Sequence, residues 1–203
     1  KSAGTACVAC HMPSQIYMGV DARRDHSMRV PRPDLSLSTG SPNACNQCHT
    51  EESADWAYSA LLDWGVRFTG QRNHPARAFH AADRGDVRAT AVLLETANNQ
   101  ANSALLRASA ISHLNSLIPA RTASYLSLWL SSSDPLIRQA AVEAAGHLPP
   151  EQRLSILTPV LEDPVLGVRM TTAEQLADLP AAKLSTQAER IAALNKEYRG
   201  RSA

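Results

Sequence analysis

Aromatic residues are scarce in this 203-residue chain, at 4% of the sequence with only 2 phenylalanines. Any core made of side chains must therefore be aliphatic. Hydrophobic residues at 44% supply enough for one domain of ordinary size or two small ones. No run of eighteen apolar residues occurs, which excludes a transmembrane helix. Neither sign of charge dominates: 20 basic against 19 acidic residues leave a formal net charge of +1. That balance argues against a nucleic-acid protein, which needs a basic excess or stripe to hold phosphates. Within the basic set lysine is nearly missing, 3 against 17 arginines. The start, Lys1-Ser2-Ala3-Gly4, lacks a secretory leader, so a mature chain or a piece of a longer one is expected.

Cysteine is rare but placed with regularity. All 4 fall in two identical frames, Cys7-Val8-Ala9-Cys10-His11 and Cys45-Asn46-Gln47-Cys48-His49. A structural zinc or iron–sulfur site, or a disulfide pair, would use two such CxxC knuckles. None of these requires histidine after the second cysteine. With 7 histidines in 203 residues, a histidine at one such place arises by chance about 3% of the time, and at both on the order of once in a thousand. The frame is the attachment signature of covalent c-type haem. Two thiols three positions apart each add to a haem vinyl group, and the adjoining imidazole turns to the iron. The chain is thus expected to hold two haem c groups, bound through Cys7 and Cys10 and through Cys45 and Cys48, with His11 and His49 as iron ligands. Such attachment takes place outside the cytoplasm, which predicts a bacterial periplasmic or extracellular location. No thiol is left for a disulfide.

Residues 1–52 show little pattern. Prolines 13, 31, 33 and 42 and glycines 4, 19 and 40 break long helices, and no strand-like alternation persists. So few large apolar side chains could not build a core, but two macrocycles would provide apolar plates to wrap. From Ser53, an expected N-cap, the pattern becomes helical: Trp56, Ala60, Leu61 and Trp64 share one face, and Gly65 and Gly70 end the segment. A second short helix is expected from Pro75 through Arg77, Phe79 and Ala82 to Gly85.

The last 115 or so residues repeat. Arg107, Arg138 and Arg169 are spaced by 31, each preceded by an apolar residue (Leu106, Ile137, Val168). Leu114, Ala145 and Leu176 follow seven later, Leu117, Leu148 and Leu179 ten later, and Leu126 and Leu130 recur as Leu157 and Leu161. One apolar stripe per helix results, with the period of a stacked two-helix unit. Asp134-Pro135 and Asp163-Pro164 read as N-cap and first turn. The segments opened by these two pairs resemble HEAT-type repeats. The expected fold is mainly α: an irregular haem-wrapped segment at 1–52, connecting helices at 53–85 packing on it, and a HEAT-like helical solenoid at 86–203.

Four stretches in and around the two frames stand out: Cys10-His11-Met12-Pro13, Arg23 through Asp34, Pro42-Asn43 leading into Cys45, and Ala54-Asp55-Trp56-Ala57. Together these resemble bacterial periplasmic multihaem cytochromes c, of the cytochrome c554-like group with helical TPR or HEAT repeats after the haem region. The likeness covers about residues 4–85 well and the repeats loosely. Members of that group begin further upstream with additional CxxCH motifs, so the resemblance implies that this chain is the carboxy-terminal part of a longer multihaem protein.

The histidines left over are His26, His74, His80, His113 and His147. His26, between the motifs in a proline-bounded segment, is the first candidate for a distal iron ligand, and the resemblance supports it. His74, just before Pro75, is the second, with His80 as its substitute. His113 and His147 read as satisfied structural histidines. Met12 and Met18 read as haem packing, and Arg23, Arg24, Arg29 and Arg32 as possible partners of haem propionates. Two saturated irons imply an electron carrier and not a catalyst, with redox proteins or neighbouring haem subunits as partners and the repeats as packing or docking surface. Assembly as a homo-oligomer or within a longer multihaem chain also fits. The alternative is part of a multihaem oxidoreductase with one open iron.

Overall fold

The computed structural model describes residues 6–68, 74–117, 122–180, 184 and 187–194. The chain divides into two compact units, residues 1–77 and 78–203. Gly4 and Gly70, two of the expected breakers, lie outside the described residues.

The first unit opens with a single helical turn, α1 (Cys7–His11), followed by a hairpin of β1 (Ser14–Tyr17) and β2 (Asp21–Arg24). Next come α2 (Pro33–Thr39), a 3-10 turn (Cys45–Gln47) and α3 (Ala54–Asp63). The hairpin corrects the expectation that no strand would form here. Its strands pair antiparallel from Ser14↔Arg24 to Tyr17↔Asp21, and all eight residues are exposed. With neither face buried there is no hydrophobic alternation to read. The loop also lacks an Asn-Gly signal, because Met18 adopts a left-handed φ of 52° ahead of Gly19 at 74°.

Helix α3 starts as expected, with the Ser53 hydroxyl accepting the Trp56 N–H at 3.1 Å. Its buried face is not the tryptophan face. The helix packs on α2 and the 3-10 turn, and Ala57 is its buried residue, while Trp64 is 78% exposed. Among the described residues of this unit the buried apolar side chains are Pro33, Leu35 and Ala57. Ile16, Tyr17, Met18, Val20, Met28 and Val30 are all exposed.

Helix α4 (Pro75–Asp83) carries the chain across the division. The second unit holds α5 (Thr90–Asn98), α6 (Ala104–Leu117), α7 (Leu126–Leu130), α8 (Pro135–Ala145), α9 (Pro150–Leu157) with a 3-10 turn (Thr158–Glu162), and α10 (Leu166–Leu176). These pair as α5 with α6, α7 with α8, and α9 and its turn with α10, while α6, α8 and α10 pack in series. This is a helical-repeat solenoid, and the 31-residue period sets its core. Leu114, Ala145 and Leu176 are each fully buried, as are Ile137 and Leu157, with Val168, Leu126 and Leu161 at 1–2% exposure. Trp129 is buried on α7, and its indole N–H finds the Asn98 side chain at 3.0 Å.

The repeated arginines tie helices to loops. Arg107 donates to the Ala97 carbonyl at 2.9 Å, Arg138 forks onto Asp163 at 2.7 and 2.9 Å, and Arg169 donates to the Asp163 carbonyl at 2.8 Å. Asp134 caps α8 as expected, accepting the Leu136 N–H at 2.9 Å. Asp163 does not cap α10. That helix begins at Leu166, three residues on, and the Asp163 carboxylate is taken by Arg138 and by the Val165 N–H at 2.8 Å. The two prolines are 29 residues apart and the arginines 31, so two extra residues stand between aspartate and helix in this repeat.

Candidate functional site

Cys7 to His11 form one helical turn. Residues i, i+3 and i+4 lie on one face of a helix, so Cys7, Cys10 and His11 share a side. In the second frame Cys45 to Gln47 are a 3-10 turn, where i and i+3 eclipse. Its carbonyl at Cys45 accepts the N–H of Cys48 at 3.2 Å and of His49 at 2.9 Å, which keeps the histidine on the same turn. The motifs thus present two thiols and an imidazole together, twice. All four cysteines are free; Cys7, Cys10 and Cys48 are exposed and Cys45 is half-buried. Burial, together with the nearby Cys10 thiol, pushes the Cys45 thiol up from its ordinary value. Among the described residues no three His, Cys, Asp or Glu side chains converge on one point.

The two turns are supported differently. The His11 Nδ1 lies 2.9 Å from the Arg29 carbonyl. A carbonyl only accepts, so Nδ1 carries the proton and Nε2 keeps its lone pair, the arrangement typical of a metal-ligating histidine. The Arg24 guanidinium donates to the carbonyls of Val8 at 3.3 Å and Met12 at 3.1 Å, at the end of α1. The second turn is held from within its own sequence neighbourhood. Asn43 Oδ1 accepts the N–H groups of Cys45 and Asn46 at 3.1 and 3.2 Å, and Asn46 Nδ2 donates to the carbonyls of His49 and Glu52 at 3.3 and 2.6 Å. The His49 ring packs on Trp56, centroids 4.6 Å apart. Asn43 and Asn46 were not singled out from sequence. The signal for Asn43 is its place two residues ahead of the turn, where its side chain caps free N–H groups; Asn46, inside the turn, carries no such signal.

His26 is exposed in the turn after β2, with neighbouring Asp25 bonded to Ser27 and not to the ring. Hydrogen bonds from Ser27 hold the Asp25 carboxyl below its usual value. His74 is half-buried and its Nδ1 accepts the Ala76 N–H at 3.2 Å, closing the start of α4. Burial and the nearby Arg32 charge hold His74 below its ordinary pKa. With Nδ1 accepting from Ala76, a neutral ring carries its proton on Nε2.

His80 is half-buried on α4 in the second unit. His113 there stacks on Phe79 at 4.7 Å and meets Asp83 at 3.3 Å, a satisfied structural histidine as expected. His147 differs from that expectation and stands exposed in the turn after α8. The four arginines have protein partners. Arg23 pairs with Asp21 at 3.2 Å, Arg29 bonds Ser27 at 2.9 Å, and Arg32 forks onto buried Asp34 at 2.7 Å. Burial raises Asp34, but the hydrogen bonds and charge of Arg32, with the Leu35 N–H and the Arg77 charge, together outweigh it, and its carboxyl stays below the usual range. The Asp34 carbonyl accepts from Arg77 at 3.1 Å.

Outside the motif unit, a groove of about 550 Å³ is lined by Leu126 and Leu130 on α7, Ile156 on α9, and Pro159 and Val160 on the turn after it. No helix among the described residues is long and apolar enough to cross a membrane. Residues 90–177, helices α5 to α10, match the HEAT repeats family. No curated protein matches the chain, and no solved structure does.

Proposed function

We propose that residues 1–77 carry two covalent c-type haems and that the chain passes single electrons between redox partners. The observation that carries this reading is the pair of CxxCH frames, each folded as a single turn that brings two thiols and the next imidazole onto one short stretch of backbone, in a unit with almost no apolar core. Cys7 and Cys10 would hold one haem with His11 as iron ligand, and Cys45 and Cys48 the other with His49. Bound haem supplies an iron that takes and returns one electron. The chain's own residues do the rest. His11 offers an unprotonated Nε2 because the Arg29 carbonyl holds its other nitrogen, and the exposed side chains of Ile16, Met18, Val20, Met28 and Val30 give the macrocycles apolar surface to pack on. The HEAT-like repeats are read as the partner-docking or packing surface. The periplasmic or extracellular location follows from where such thioethers are made, and the multihaem cytochrome resemblance points the same way.

His26 is the better placed distal ligand, with no hydrogen bond to its ring among the described residues. For His74 to ligate iron through Nδ1 the bond from Ala76 must break, and through Nε2 the proton must move to Nδ1 and displace that bond. That engagement favours a second reading, an oxidoreductase in which one iron stays open. Intact mass and a carbon monoxide difference spectrum test both. The carrier reading expects two haems, low-spin iron and no carbon monoxide binding by the reduced protein, with His26→Ala opening one site. Binding by the unmodified protein at one haem moves the oxidoreductase reading ahead, and a colourless protein carrying zinc ends both.

A further inference from the structure

We infer that Arg24 is a positioning residue for the first CxxCH turn, acting on the His11 site and leaving the His49 site alone. The inference rests on the dihaem reading. One turn of five residues is too short to hold itself, since helix nucleation is costly. Its own Met12 N–H bonds the Val8 carbonyl at 3.0 Å, and Arg24 adds a donor from sixteen and twelve residues away, reaching the Val8 and Met12 carbonyls through one Nη1. The next residue extends the tie, the Asp25 N–H donating to the Pro13 carbonyl at 3.0 Å. Four residues beyond that, the Arg29 carbonyl sets the His11 ring. Strand β2 and the loop after it therefore fix both the backbone of the turn and the rotation of its imidazole.

The second turn has none of this. Asn43 and Asn46 brace it locally and Trp56 flanks its ring. Two frames with the same spacing thus depend on different residues, and the dependence is testable by crossing them.

The test compares the holoprotein with Arg24→Met, Arg24→Lys and Asn43→Ala by low-spin electron paramagnetic resonance and by mass of the haem peptides. The g values report the orientation of the axial imidazole planes. A charge near a haem shifts its potential without rotating a ligand, so a shift in g values separates positioning from electrostatics. Arg24→Met is expected to shift the signal of one haem only, Asn43→Ala that of the other, and Arg24→Lys, which keeps a donor, to restore the first. If Arg24→Met loses a haem, the inference requires the loss from the Cys7–Cys10 peptide with the Cys45–Cys48 peptide still loaded. Unchanged signals, equal shifts of both, or loss from the second peptide overturn it while the dihaem reading stands. A wild-type protein without covalent haem overturns that reading first.

Discussion

In the repeat unit Leu114, Ala145 and Leu176 occupy the same place in successive repeats and all three are fully buried, while in the motif unit Met18, Val20 and Val30 stand in solvent. The difference is not one of hydrophobicity. A helix with an apolar stripe buries it against a copy of itself, and each added repeat extends the core. A two-stranded hairpin with both faces bare has nothing of its own to bury and is marginal in water. The comparison teaches that the same chain uses two sources of stability: side chains against side chains in residues 78–203, and, on the proposed reading, side chains against covalent macrocycles in residues 1–77.

The strongest way to break this contrast is to remove the attachment points. Replacing Cys7, Cys10, Cys45 and Cys48 with serine is expected to abolish slow amide exchange across residues 6–52 and to leave α5 to α10 protected. Hydrogen exchange read by mass spectrometry checks it, and full protection of both units would sink the argument. Next in size, Leu114→Ala or Leu176→Ala is expected to cost roughly 2–5 kcal/mol of repeat stability by leaving a cavity. Denaturant melts measure the loss, and the haem spectrum should stay unchanged.

A smaller effect is expected at the link between repeats. Arg138→Ala leaves the mostly buried Asp163 carboxylate without its fork and should cost about 2–3 kcal/mol. Hydrogen bonds from Arg138 hold the Asp163 carboxyl below its ordinary value of 3.8. A carboxyl depressed in the folded state stabilises fully above that value and loses its contribution as pH falls through the lower folded one. Repeat stability should therefore decline below about pH 4, and Asp163→Asn should flatten that limb in acid melts at matched ionic strength. The smallest effect belongs to His113→Ala, which loses the Phe79 stack and the Asp83 contact. It should lower the repeat melt slightly and leave haem spin state and carbon monoxide response as in wild type; a new high-spin signal would put His113 at an iron.

The repeats were legible because their period is written at single positions. Arg107, Arg138 and Arg169 with their trailing leucines required no knowledge of contacts, and α8 began at the expected Asp134. The match over residues 90–177 agrees. What failed was local. Asp163 looks like Asp134 in sequence and likewise accepts the N–H two residues on, yet its helix starts two residues later and its carboxylate also holds the Arg138 fork. Trp56 and Trp64 share a helical face, but the small contact with α2 is made at Ala57.

The paired CxxCH frames were also plain to read, since the spacing of thiols and imidazole is a property of consecutive residues, and each frame folds as one turn. The spacing alone says nothing of how each turn is braced. Arg24 reaching the Val8 and Met12 carbonyls, the Arg29 carbonyl choosing the protonated nitrogen of His11, and Ala76 claiming His74 are contacts between chain segments. Hydrophobic period and motif spacing are properties of neighbours in sequence, and so survive in a string of letters. Which nitrogen of a histidine is left free depends on the group the fold brings against the other one.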